Sequence, residues 1–240
     1  QLTGWVNVSD SVLWITAIMS LVFLGLTGVL LIKDLDQPKR FLYVLLRPHW
    51  TSWLVKGGYT ITAYGGLVTL WGVLKYFELA TLTELLIWPI LSLSVLLAVY
   101  TAFLFGQAKG RDFWQSPLLS VHMLLHSVVG GSAALLIMSS FWTDILPLVA
   151  LLKGILFWSL VVQLFSFAAE FLSSHPTEDA VKTAHMITHG IFCKTFWVGV
   201  VLCGNAAPLL LLSINSGLLA VATASILVLV GWNSLRDVKN

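Results

Sequence analysis

Two pairs of histidines stand four residues apart, His122 and His126 in "HMLLH" and His185 and His189 in "HMITH". On a helix that spacing puts both rings on one face, one turn apart. Paired imidazoles can bind a metal, and single histidines from two helices can ligate a haem from both sides. Zinc would want thiolates or carboxylates as well. Nothing at fixed spacing supplies them, because Cys193 and Cys203 are ten residues apart in one expected helix. Imidazole also gains and loses a proton near neutrality, its unperturbed pKa being about 6.5. Proton handling or ligand contact is therefore the reading taken for at least one histidine, with no metal or haem expected in this chain.

Three other residue types carry chemistry. Glu170, in "FSFAAEFLSSHP", sits among Phe165, Phe167 and Phe171. A carboxylate in that setting can pair with His or Lys and relay protons. Tyr100, in "AVYTAFLFGQAKGRDFWQSP", offers a flat apolar ring and a hydroxyl able to hold a carbonyl oxygen, the two things a quinone head needs; an interfacial-belt tyrosine is its plainer reading. Lys56 joins Glu170, His185 and His189 as a proton-relay candidate, against the alternative that its chain simply snorkels to the headgroups.

These residues must be positioned by a membrane. The 240-residue chain is 58% hydrophobic and 10% charged, whereas a soluble domain is about 25% charged. Seven apolar runs are long enough for the roughly 20 helical residues a crossing needs: 11–32, 52–75, 84–106, 116–140, 145–171, 185–213 and 214–233. The expectation is an all-α, polytopic transmembrane bundle in one integral membrane domain over residues 1–240. Short turns make neighbouring helices antiparallel. Gly130, Gly131, Ser132 and Ala133 read as a small-residue packing seam, and Thr177 as the N-cap of the helix after Pro176.

Seven crossings give the chain two unequal faces. One carries Lys33, Lys39, Arg40, Arg47, Lys109, Arg111, Lys182, Arg236 and Lys239 in its loops and tail, and the other only Lys75. The positive-inside rule makes the basic face cytoplasmic; a docking surface for an acidic partner is the competing explanation. Lys56, Tyr100, Gln107, His122, His126, Glu170, His185 and His189 are expected nearer that face, in one polar cavity open toward it.

The stretch after the first span carries a resemblance. "LLIKDLDQPKRFLYVLLRPHWTSW" is similar to the Leu-Asp-Leu-Gly-Arg-Pro-x-Arg-Phe … Arg-Pro … Ser-Trp signature of NrfD-type, polysulfide-reductase-like membrane subunits, matched by Asp34, Leu35, Pro38, Arg40, Phe41, Pro48, Ser52 and Trp53. "VYTAFLFGQAKGRDFWQSPLLSVHMLL" resembles that family's tyrosine helix, and "THGIFCKTFWVGVVLCGNAAPLLLL" its late Gly…Phe-Trp…Pro helix. Two features depart. Asp36-Gln37 replaces the usual Gly-Arg, and the run at 11–32 aligns with the family's second helix, so one of its usual eight or more helices would be missing at the start.

The resemblance implies a bacterial or archaeal cytoplasmic-membrane anchor that exchanges electrons between a quinone pool, menaquinone or ubiquinone, and a ferredoxin-like iron–sulfur subunit. That subunit serves a molybdenum- or tungsten-pterin catalytic subunit, and membrane lipids are the other expected partners; nucleic acid is not one. Tyr100 falls at the family's quinone-contacting tyrosine, with His122 or His126 beside it. Asp34, Lys39, Arg40, Arg47, Gln107, Lys109 and Arg111 would form the docking platform. A haem-b anchor and a stand-alone proton or solute transporter are the alternatives.

Overall fold

Hydrogen-bonding every backbone amide within its own segment is the requirement that lipid imposes on a crossing chain, and this protein meets it with helices throughout. The computed structural model describes residues 8–33, 46–107, 118–172, 178–214 and 217–239, and every regular element among them is helical. Five stretches are long and apolar enough to cross a membrane: Asp10–Lys33, Ala80–Gly106, Leu119–Met138, Thr143–Glu170 and Thr195–Ile214. The chain is an integral membrane protein.

The chain divides into two units, Gln1–Ala108 and Lys109–Asn240. The first holds α1 (Asp10–Lys33), α2 (Trp53–Tyr76) and α3 (Ala80–Gly106). Helix α2 packs against both neighbours. It is long enough to span but falls outside the most apolar set, and its composition explains why. Gly57, Gly58, Gly65, Gly66 and Gly72 lower its hydropathy while letting other helices approach its backbone. Trp14 of α1 leans on Trp71 of α2 with ring centroids 6.0 Å apart, and Leu24 lies against Gly65. A tight turn with Glu78 at φ 57° joins α2 to α3.

The second unit holds α4 (Leu119–Met138), a 3₁₀ entry at Thr143–Leu148, α5 (Val149–Leu172), α6 (Glu178–Thr188), a π-helical segment Thr195–Ala206 running into α7 (Ala207–Ile214), and α8 (Leu218–Lys239). Its core is a dry seam of Val129, Ala133 and Leu136 on α4, Leu156 and Leu160 on α5, and Val221, Ala224 and Val228 on α8, all fully buried.

The expected sixth span, 185–213, is two elements instead. Helix α6 stops at Thr188, where the Gly190 N–H turns back onto the carbonyls of His185 and Met186. A new helix starts at Cys193. Helix α6 is amphipathic, burying Ala184 and Ile187 and exposing Val181, Lys182, His185 and Met186, as an element lying along a surface does. Of the small residues expected to form a packing seam, Ser132 and Ala133 are buried, but the closest glycine approach lies elsewhere. A side chain at Gly131 would meet nothing, whereas Gly204 and Gly231 cross backbone to backbone, and a Cβ on Gly231 would overlap the Gly204 backbone.

Candidate functional site

Within the first unit, polar and aromatic groups gather where α2 begins and α3 ends. Tyr100, one to two turns before the end of α3, is 5% exposed and lies close against Gly57 of α2. A Cβ at Gly57 would overlap the tyrosine ring, so the absent side chain is what gives the ring its place. Three residues on, Phe103 stacks on Trp53, with centroids 4.3 Å apart and planes 14° apart. Lys56 sets its ammonium 4.2 Å above the same Trp53 ring, a cation–π arrangement. Trp50 stacks on Tyr59 at 4.9 Å.

Gln107, expected to dock a partner, spends its side chain inside the unit. Its Oε1 accepts from the Trp53 N–H at 3.0 Å, and its Nε2 donates to the Thr51 carbonyl at 3.1 Å. The start of α2 has amides without intrahelical partners, and Ser52 makes no side-chain cap. Gln107 serves one of those amides from across the unit and ties the end of α3 to the start of α2. Arg47 is exposed. Asp34, Lys39, Arg40, Lys109 and Arg111 lie outside the described residues, as does Thr177.

The second unit contains a buried acid–base pair. His122, in the first turn of α4, is 1% exposed, and its Nε2 lies 3.1 Å from Oε2 of Glu170 near the end of α5. The nitrogen is close to the oxygen but off the hydrogen-bond line, and Nδ1 has no hydrogen-bond partner among the described residues. The antiparallel course of α4 and α5 brings the first turn of one against the last turn of the other. The ring stacks on Phe167, one turn before Glu170, at 5.2 Å and 23°. Phe167 in turn meets Phe196 edge-on at 6.3 Å, within an apolar cluster that includes Ile187 and Val200. His126 follows one turn along α4, its ring 6.4 Å from that of His122.

Two further buried polar groups have no role assigned from the sequence. Gln163 is 1% exposed, and its Oε1 has no hydrogen-bond partner among the described residues. Ser159, Gln163, Ser166 and Glu170 recur at helical spacing and are all buried, so α5 carries a polar stripe inward from the acid–base pair. That periodicity is present in the sequence and was legible there. Asn205 is 2% exposed; its Nδ2 donates to the Val200 carbonyl at 2.8 Å and its Oδ1 has no partner. It sits in the π-helical segment, a conformation that recurs at functional positions.

His185 and His189 do not join this centre. Both are exposed, one ending α6 and one just past it, with rings stacked 5.3 Å apart. The Thr188 hydroxyl lies 2.8 Å from His189 Nδ1. No group of three or more His, Cys, Asp or Glu side chains suited to a metal occurs among the described residues. Tyr100 belongs to the first unit and the His122–Glu170 pair to the second.

The helical architecture agrees with the resemblance noted in the sequence. No curated protein matches the chain. The family described as "Polysulphide reductase, NrfD" matches residues 5–238, nearly its whole length, and the chain belongs to that family.

Proposed function

We propose that this chain is the quinone-reactive membrane anchor of a molybdenum- or tungsten-pterin oxidoreductase complex. In this reading it passes electrons between the quinone pool, menaquinone or ubiquinone, and an iron–sulfur subunit. NrfD proteins are membrane subunits of such complexes. The observation that carries the finer reading is the His122–Glu170 pair, an acid and a base sealed from water in a protein of lipid-facing helices. An ionisable group inside a bilayer costs about 2.5–3.5 kcal/mol even on the lenient insertion scale. A structural role could be filled more cheaply by apolar side chains of similar size.

A bound quinol would supply two electrons and two protons, and the protein's own groups then have separable tasks. The Tyr100 hydroxyl holds and orients the carbonyl oxygen of the ring, and Gly57 sets where that hydroxyl points. In the second unit, buried Nδ1 of His122 has no hydrogen-bond partner among the described residues and can accept one proton. Glu170 beside Nε2 stabilises the imidazolium that results and takes that proton onward, toward Ser166 and Gln163 along α5, which frees His122 to accept the second. Phe167 keeps the imidazole plane fixed and water out. Electrons leave to the iron–sulfur partner, docked on the basic face, which we take as cytoplasmic. A role in anaerobic respiration follows from that wiring.

A reduced-minus-oxidised optical spectrum of the complex, purified gently through this chain, tests the assignment. A broad iron–sulfur bleach without a sharp haem α-band is expected. An α-band that disappears with His122 or His126 substitution would contradict it and make the chain a haem anchor.

A further inference from the structure

A cavity of the first unit lies at the other end from Tyr100. About 940 Å³ in volume, it is walled by α1, α2 and α3 where α1 starts, α2 ends and α3 begins. Its inner wall is apolar and aromatic, with Trp14 and Trp71 at its back. Its mouth is charged. Lys75, in the last turn of α2, pairs with Asp10 at 2.8 Å, and Glu78 and Glu84 complete the rim. One cation against three carboxylates leaves the rim short of positive charge.

Glu84 is the telling residue. It is exposed, in the second turn of a helix otherwise apolar enough to span the membrane, and it faces this cavity. A carboxylate near the start of an apolar helix is favoured by a cation beside it. An apolar slot beneath charged residues of both signs suits an amphiphile whose head carries both signs as well. Lys75 still has donors left after its bond to Asp10, because an ammonium has three. The acidic side of the rim suits a head with N–H donors of its own.

We propose that this cavity binds an ethanolamine phospholipid, with Lys75 on the phosphate, Glu78 and Glu84 on the primary ammonium, and the acyl chains against Trp14 and Trp71. A primary ammonium donates three hydrogen bonds, whereas the quaternary ammonium of a choline head donates none. A glycerol head leaves the lipid anionic, and it meets a rim with an excess of carboxylates. The order of preference is therefore ethanolamine, then choline, then glycerol. The site is separate from the quinone reading and does not depend on it.

Native mass spectrometry of the full chain, delipidated and titrated with phosphatidylethanolamine, phosphatidylcholine and phosphatidylglycerol of identical acyl chains, tests this. Ethanolamine adducts should be retained about tenfold over choline adducts, the size of one hydrogen bond to a charged group. Glu84→Gln should remove most of that preference while leaving the number of choline adducts unchanged, and Glu78→Gln should do so independently if the first variant is poorly made. Equal retention of the three lipids overturns the proposal, as does a glycerol preference. So does an ethanolamine preference that survives both substitutions.

Discussion

The two units treat their polar residues in opposite ways. Where α2 begins and α3 ends, Gln107 and Lys56 are occupied by neighbours. Gln107 ties two backbone segments, Lys56 lies on Trp53, and Trp53 lies on Phe103. In the second unit His122, Gln163 and Asn205 are more deeply buried, yet Nδ1, Oε1 and Oδ1 have no hydrogen-bond partner among the described residues. Satisfied groups hold a structure in place. Unsatisfied buried groups cost free energy, about 1–3 kcal/mol each, and are kept where something else gains from them. In the function proposed above, the first unit would contribute the tyrosine platform and the second the proton chemistry.

The largest effect should come from dividing the buried pair. His122→Ala leaves Glu170 buried among apolar side chains, and breaking such a pair costs about 3–5 kcal/mol. The thermal midpoint of the purified protein should fall sharply. His122→Leu combined with Glu170→Met should recover much of that loss while remaining inactive with quinol. If the double variant kept quinol activity, the contrast between the units would collapse.

A smaller effect is expected at the platform. Gly57→Ala drives a methyl into the Tyr100 ring, and overpacking of this sort costs about 1–3 kcal/mol. The ring must move, so quinol-dependent turnover should drop while turnover with an artificial dye is kept. Unchanged kinetics with both donors would show that the position of Tyr100 is unimportant.

Smallest is the clamp. Gln107→Ala removes a helix-capping acceptor, worth about 0.5–2 kcal/mol, and should lower thermal stability modestly while the iron–sulfur partner still co-purifies. Loss of the partner without loss of stability would return Gln107 to the docking role expected from the sequence.

Much of the scaffold was legible beforehand because hydropathy reports what lipid demands. The runs at 11–32 and 52–75 fall within one residue of the ends of α1 and α2. The run at 185–213 misled because an apolar window does not show where the backbone turns. His185 and Met186 sit beside a helix end closed by Gly190, and a π-helical register has no hydropathy signature. At the site, the types of Tyr100, His122 and Glu170 drew attention, but their partners did not. Gly57 gives no chemical signal, and its meeting with Tyr100 depends on how two helices pack. Gln107 reaches a backbone 54 residues away. Lys56 lies over the Trp53 ring and His185 and His189 are exposed, settings that residue type alone does not reveal.

The central claim is that quinol reacts at this chain and that its turnover needs both the Tyr100 hydroxyl and the His122 imidazole. The ratio of quinol-dependent to dye-dependent turnover in the intact complex tests it most directly, measured for Tyr100→Phe and His122→Gln. Dye activity bypasses the membrane site and should be unchanged. The quinol ratio should fall about tenfold for Tyr100→Phe, the loss of one hydrogen bond, and about 10²-fold or more for His122→Gln, the loss of an acid–base group. Equal loss of both activities, or an undiminished quinol ratio in both variants, would contradict the account.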